Sequence, residues 1–325
     1  MRVTHRAGRG HRAPVAFAAV VVAAAAAVAA ALFLALPSGT AAAPPAARTP
    51  RSGATPTIGS ATQASGRWFD RVFVVVFENK DRSAVLDVPY FAELARRGEQ
   101  FPRFVAEAHP SQPNYLAMVG GDTFVRGDEP HDIAATNLTD LLEGAGMSWT
   151  SYEEGLPEPC FTGKAAGNSK DGKYTRAHNP FISFDDIRTN PERCARIVDG
   201  ERLDADIAAG TLPTFALYAP NKNNDSHDKP LSYAARWLRG FLEPKLADPR
   251  FMDGTLVVVT FDESGDKSDD PKTSPIYTVL LGSMVTPGTS DRTRYDHYSL
   301  LRTIEDTLGL GTLGRHDQTA TPIRH

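Results

Sequence analysis

Four short apolar runs punctuate the chain: RVFVVVF at 71–77, PTFALYAP at 213–220, GTLVVVTF at 254–261 and PIYTVLLG at 275–282. Each is continuous rather than alternating, and most are rich in β-branched residues, which suits a strand buried on both faces. Segments with helical spacing lie between them. In PYFAELARRGEQ (89–100), Phe91, Leu94 and Ala95 share a face and Gly98 ends the helix. Helices are also predicted from Asn114 to about Val119, over 136–147 with Asn137 as a candidate cap, over 232–246 with Ala235, Leu238, Phe241 and Leu242 inward, and over 298–310. SWTSYEE (148–154) reads as another strand, and residues 155–200 as mostly irregular. Buried strands alternating with helices predict an α/β sandwich around a largely parallel sheet, whose ligands bind beyond the carboxyl ends of the strands.

The amino end has another pattern. Arg2, Arg6, Arg9 and Arg12 precede an almost unbroken apolar run from Val15 to Leu36, and small residues follow it. Residues 1–43 therefore read as a secretory signal, with cleavage expected near Ala41–Ala43, or as a retained membrane anchor. Residues 44–66 are Pro, Ala, Thr, Ser and Gly with hardly any large apolar side chains, so they read as a linker. The folded domain is expected over 67–325, outside the cytoplasm: secreted, or tethered through the leader.

Charge narrows the partners. The whole chain of 325 residues has a formal net charge of −4, and the leader carries four Arg and no acids, so the body stands at −4 − 4 = −8. An acidic body argues against broad nucleic-acid binding, and contact with a membrane is expected only through an uncleaved leader. An anionic substrate would need a local positive centre. The two cysteines, Cys160 and Cys194, suggest a disulfide in an exported protein, with two buried thiols as the alternative.

The chemistry sits at the strand ends. Glu78, Asn79 and Lys80 follow the first run, Asn221, Asn224, Asp225, His227 and Asp228 follow the second, and Asp262, Glu263 and Ser264 follow the third. One polar strand end is ordinary loop or cap chemistry. Three that each deliver a carboxylate point to a shared crevice, where the acids would take up protons unless a divalent cation neutralised them. Carboxylate and amide oxygens suit a hard ion, and histidine moves the preference toward zinc, manganese or iron. His297, just ahead of the final predicted helix, is a further candidate ligand, or a capping or core histidine.

AHPSQPNYLAMVGG (108–121) stiffens the chain with two prolines around Ser111. A serine beside a cation loses its proton more easily and can attack phosphorus, while a helix amino end favours phosphate. His109 is a candidate to orient the turn or donate a proton.

FENK, HPSQPNYLAMVGG, APNKNNDSHD, VVVTFDESG and YDHYSLLRTIEDTLGL, in that order, resemble the bacterial and fungal phosphoesterase family of the alkaline phosphatase superfamily, over about Arg71 to Leu313. Its members include acid phosphatases and phospholipase-C-type enzymes. The resemblance implies a three-layer α/β/α core with a metal site over the sheet. It implies Ser111 as nucleophile through a phosphoserine, and metal contacts from Glu78 or Asn79, Asp262 and Glu263. Asp225, His227, Asp228 and His297 would form a second metal or phosphate site. One or two divalent ions are implied (Mg, Mn, Ca, Zn or Fe), with Asn79 holding a phosphate oxygen or the metal. Lys173, Arg176 and His178 read as mixed surface and packing residues, with contact to phosphate as the alternative, and they and Asn179 stay outside the catalytic set. The expected function is a broad-range phosphomonoesterase acting on small phosphate esters. The alternatives are a phospholipase-C-type phosphodiesterase, and a non-catalytic surface protein of the same fold.

Overall fold

The computed structural model describes residues 66–265 and 270–323, and the expected leader and nearly all of the linker lie outside them. The strands are β1 (Arg71–Phe77), β2 (Glu99–Gln100), β3 (Trp149–Glu153), β4 (Ala165–Asn168), β5 (Gly172–Thr175), β6 (Ile197–Asp199), β7 (Phe215–Ala219), β8 (Thr255–Phe261) and β9 (Thr278–Leu281). Seven form one sheet in the order β2-β9-β8-β1-β7-β3-β6, and β4 pairs with β5 in a separate hairpin. The neighbours from β8 to β6 run parallel, and β9 and β2 add an antiparallel edge. The fold is thus mixed α/β with a mostly parallel central sheet.

Side chains alternate across a strand, so β1 divides its neighbours between two faces. Phe77 points to the side of the Pro89–Arg97 and Leu231–Leu246 helices, with ring centroids 5.5 Å from Phe91 and 6.1 Å from Trp237. Glu78, the next residue, points to the other side and meets Tyr115 of the Ser111–Gly120 helix. The core strands are buried almost throughout because helices cover both faces.

Several elements differ from expectation. The helix expected from Asn114 begins at Ser111, with Pro110 as its cap residue and Pro113 in its first turn, where a missing N–H costs no hydrogen bond. The helix expected from 298 begins at His297, capped by the Asp296 side chain, which accepts from Ser299 N. Asn137 caps Leu138–Gly144 as expected, in a reciprocal box with Asp140. Residues 155–200 are far from structureless: they contain the β4–β5 hairpin, short helical turns and β6, which extends the main sheet beside β3. Cys160 and Cys194 form a disulfide with Cα atoms 5.4 Å apart, joining the approach to the hairpin to the segment before β6. Among the described residues, no helix is long and apolar enough to cross a membrane.

Candidate active site

The exits of β8, β1 and β7, three adjacent strands, are knitted together by their own backbone. Asp262 N donates to Phe77 O at 2.9 Å, and Glu78 N donates to Asp225 O at 2.9 Å. Asn79 has φ +45°, a left-handed geometry that asparagine tolerates, and its N–H donates to Asp262 Oδ1 at 3.0 Å. The Lys80 ammonium donates to the carbonyls of Glu78, Asn79 and Ser226, tying the β1 exit to the loop after β7. Glu78, Asp225, Asp262 and Glu263 are thereby brought together, all fully buried.

Ser111 joins them from the opposite layer. Its Oγ donates to Glu78 Oε2 at 2.8 Å and lies 3.3 Å from Asn79 Oδ1. Asn114 makes this possible. Its Oδ1 accepts from the amides of Glu107 and Ala108 at 2.9 and 3.0 Å, and its Nδ2 donates to Ala108 O at 2.9 Å and Pro110 O at 3.3 Å. One buried amide thus fixes the loop that carries His109 and delivers Ser111 to the helix start. His109 Nδ1 pairs with Glu263 Oε2.

His178, placed outside the catalytic set by sequence, lies inside the cage. Its Nε2 is 3.2 Å from Glu78 Oε1 and its Nδ1 is 3.3 Å from Asp225 Oδ2, and its ring stacks on Tyr115 with centroids 5.1 Å apart. Tyr115 OH donates to Glu78 Oε1 at 2.8 Å. Tyr115 carries no distinguishing mark in the sequence either, where it is one more aromatic on a helix. The AHNPF stretch around His178 was the available signal.

The remaining candidates separate. His297 Nε2 lies 2.6 Å from Asp262 O and is fully buried. His227 and Asp228 lie at the rim, paired through Nδ1 and Oδ1 at 2.7 Å, while His227 N reaches back to Asp225 Oδ1 at 2.7 Å.

Electrostatics fit a cation in this cage. Burial raises Glu78 well above the usual carboxylate range, reinforced by the charges of Asp262 and Asp225. Burial also raises Asp225 and Asp262. Burial lowers His178 to about 4, so its ring is neutral and carries one N–H. That ring faces a carboxylate with each nitrogen, so one lone pair meets an acid oxygen. A proton or a cation must relieve this repulsion. Ligand atoms of Glu78, His178 and Asp225 lie within 4.8 Å of one another and could hold a metal ion. Asp262 Oδ2 and His297 Nδ1 are buried with no hydrogen-bond partner among the described residues.

Comparison with known proteins places the chain in a family. The sequence model of the phosphoesterase family matches residues 83–311, and the chain belongs to that family. It is similar to a probable acid phosphatase of Kluyveromyces lactis, 36% identical over 280 residues, covering 83% of this chain and 65% of that protein. It is also similar to a phosphatidylinositol-3-phosphatase of Mycobacterium tuberculosis, 32% identical over 277 residues, covering 83% of this chain and 87% of that protein. Against the fungal acid phosphatases it matches, the chain spans 58% to 65% of their length. In fold it is similar to a protein of the alkaline phosphatase superfamily from Vibrio parahaemolyticus, with TM-score 0.54 and 13% identity, covering 79% of this chain and 71% of that one.

Proposed function

We propose that this chain is an exported, metal-assisted phosphoric monoester hydrolase working through a phosphoserine, with residues 67–325 as its catalytic domain behind a leader (1–43) and a linker (44–66). The observation that carries the reading is the Ser111 hydroxyl, at the first residue of a helix and bonded to Glu78 Oε2 at 2.8 Å, within a cage of buried carboxylates and imidazoles. The similar acid phosphatases and phosphatidylinositol-3-phosphatase support a monoester as substrate. The disulfide fits an oxidising compartment.

A divalent cation, held by Glu78, Asp225 and His178 with Asn79, Asp262, Glu263 and His297 at hand, would neutralise phosphate charge and make the serine a better nucleophile. The chain's own residues do the rest. Ser111 Oγ attacks phosphorus in line, its proton passes to Glu78 Oε2, and the bond from phosphorus to the alcohol oxygen breaks. His109, steadied by Glu263, gives a proton to that oxygen. The amino end of the Ser111–Gly120 helix favours the phosphate charge. Water then attacks the phosphoserine and returns a proton to His109, the Oγ–phosphorus bond breaks, and Ser111 leaves, regaining its proton from Glu78.

The test compares 4-nitrophenyl phosphate, bis(4-nitrophenyl) phosphate and a choline phospholipid, with divalent ions supplied and with chelator. The monoester should lead by at least about tenfold, chelation should stop turnover, and Ser111→Ala should reduce it by at least about a thousandfold. A leading phospholipid selects the phosphodiesterase reading. A Ser111→Ala protein with full activity removes the nucleophile assignment.

A further inference from the structure

The loop after β7 leads outward from the buried cage to the Lys222 ammonium. Asp225 contacts His178, the His178 and His227 ring centroids are 6.4 Å apart, and His227 pairs with Asp228. Asp228 Oδ1 in turn lies 3.6 Å from Lys222 Nζ. The β4–β5 hairpin is clamped against the same loop. Lys222 N donates to Lys173 O at 3.0 Å, and Asn223 Nδ2 donates to the carbonyls of Ser169 and Lys170. Gly172, at φ +104°, approaches so closely that a Cβ there would meet Asn221 Oδ1 at 2.2 Å. The Lys222 ammonium is therefore held beside the Asp228 carboxylate, and the backbone clamp brings Lys173, from a different segment, to the same loop. Lys222 keeps 22% of its side chain exposed, so the charge is partly desolvated yet reachable.

Building on the phosphomonoesterase reading, we propose that Lys222 and Lys173 form a subsite for a second anionic group, so that preferred substrates carry another phosphate or a carboxylate near the scissile ester. Asp228 occupies this subsite when substrate is absent, pairing with Lys222 much as the incoming anion does. A partly exposed charge pair of this kind is worth a few-fold in affinity, and two act together when the anion bridges them. A purely structural Lys222–Asp228 bridge makes the opposite statement about Asp228, and this separates the two.

The measurement is kcat/KM of the full chain, with divalent ion present, on fructose 1,6-bisphosphate relative to fructose 6-phosphate. The bisphosphate should lead by about fivefold. In Lys222→Ala/Lys173→Ala the ratio should fall to near one, Lys222→Arg should keep it, and Asp228→Asn should raise it. An unchanged ratio in the double variant overturns the proposal, as does an Asp228→Asn protein that loses the preference. Calorimetric binding of fructose 1,6-bisphosphate is the second arm. A wild-type chain that turns over neither ester yet binds the bisphosphate through the lysines contradicts the hydrolase reading and keeps the subsite. A chain that hydrolyses both equally does the reverse.

Discussion

Glu305 lies on the inner face of the His297–Leu308 helix, fully buried, opposite the equally buried Asp317. Asp317 is already committed: its oxygens accept from Leu313 N and Arg315 N, holding the chain that follows the helix. Two carboxylates facing each other bond only if one carries a proton. Burial first, and then the charge of Asp317, raise Glu305 from 4.5 to about 9, with Arg302 pulling the other way. Between those values the folded state holds a proton that the unfolded state has released, so stability falls as pH rises. Over the roughly 2.5 units from 4.5 to pH 7, at about 1.4 kcal/mol per unit, the loss is at most about 3.5 kcal/mol. Glu305→Gln keeps the shape and the donor without the charge. At pH 7 it should therefore raise Tm by about 5–10 °C, and the difference from wild type should shrink toward pH 4.5. The assay is thermal unfolding by circular dichroism from pH 4.5 to 9 at fixed divalent-ion concentration. A variant that melts with the wild-type pH slope, or below wild type at pH 7, refutes the reasoning.

His178→Gln should lower affinity for the divalent ion by about ten- to a hundredfold, read by titrating chelator-stripped protein. Unchanged affinity would remove His178 from the cage's ligand set. Replacing Cys160 and Cys194 with serine opens a cross-link spanning 34 positions and should cost about 3–4 kcal/mol in denaturant unfolding. A shift below about 1 kcal/mol would mean that the unfolded chain gains little freedom from the cut.

The strand exits were legible because each apolar run ends in a residue type that does not belong inside a sheet. Phe77 to Glu78 and Phe261 to Asp262 are abrupt changes, and adjacency of β8, β1 and β7 turns them into one cage. His178 was not legible in this way. It reaches the cage from an irregular segment, and its role comes from standing between Glu78 and Asp225, 100 and 47 positions away in the chain. Composition carries no trace of such a contact. The same holds for β6, three residues long, whose strand character comes from pairing with β3 rather than from its own sequence. The Ser111 helix starts earlier than its sequence suggests because proline argues against helix in the interior but not in the first turn. Asn114, read only as a helical residue, is the one whose side chain braces the loop ahead of it.

In the proposed reaction, Ser111 Oγ becomes covalently bonded to phosphorus during turnover. Acid-quenching the protein within milliseconds of mixing with a phosphomonoester, followed by peptide mass spectrometry, tests this directly. One added phosphate is expected on the peptide containing Ser111, absent in Ser111→Ala. Sustained turnover with no phosphorylated Ser111 peptide, or with the phosphate on another residue, would contradict it.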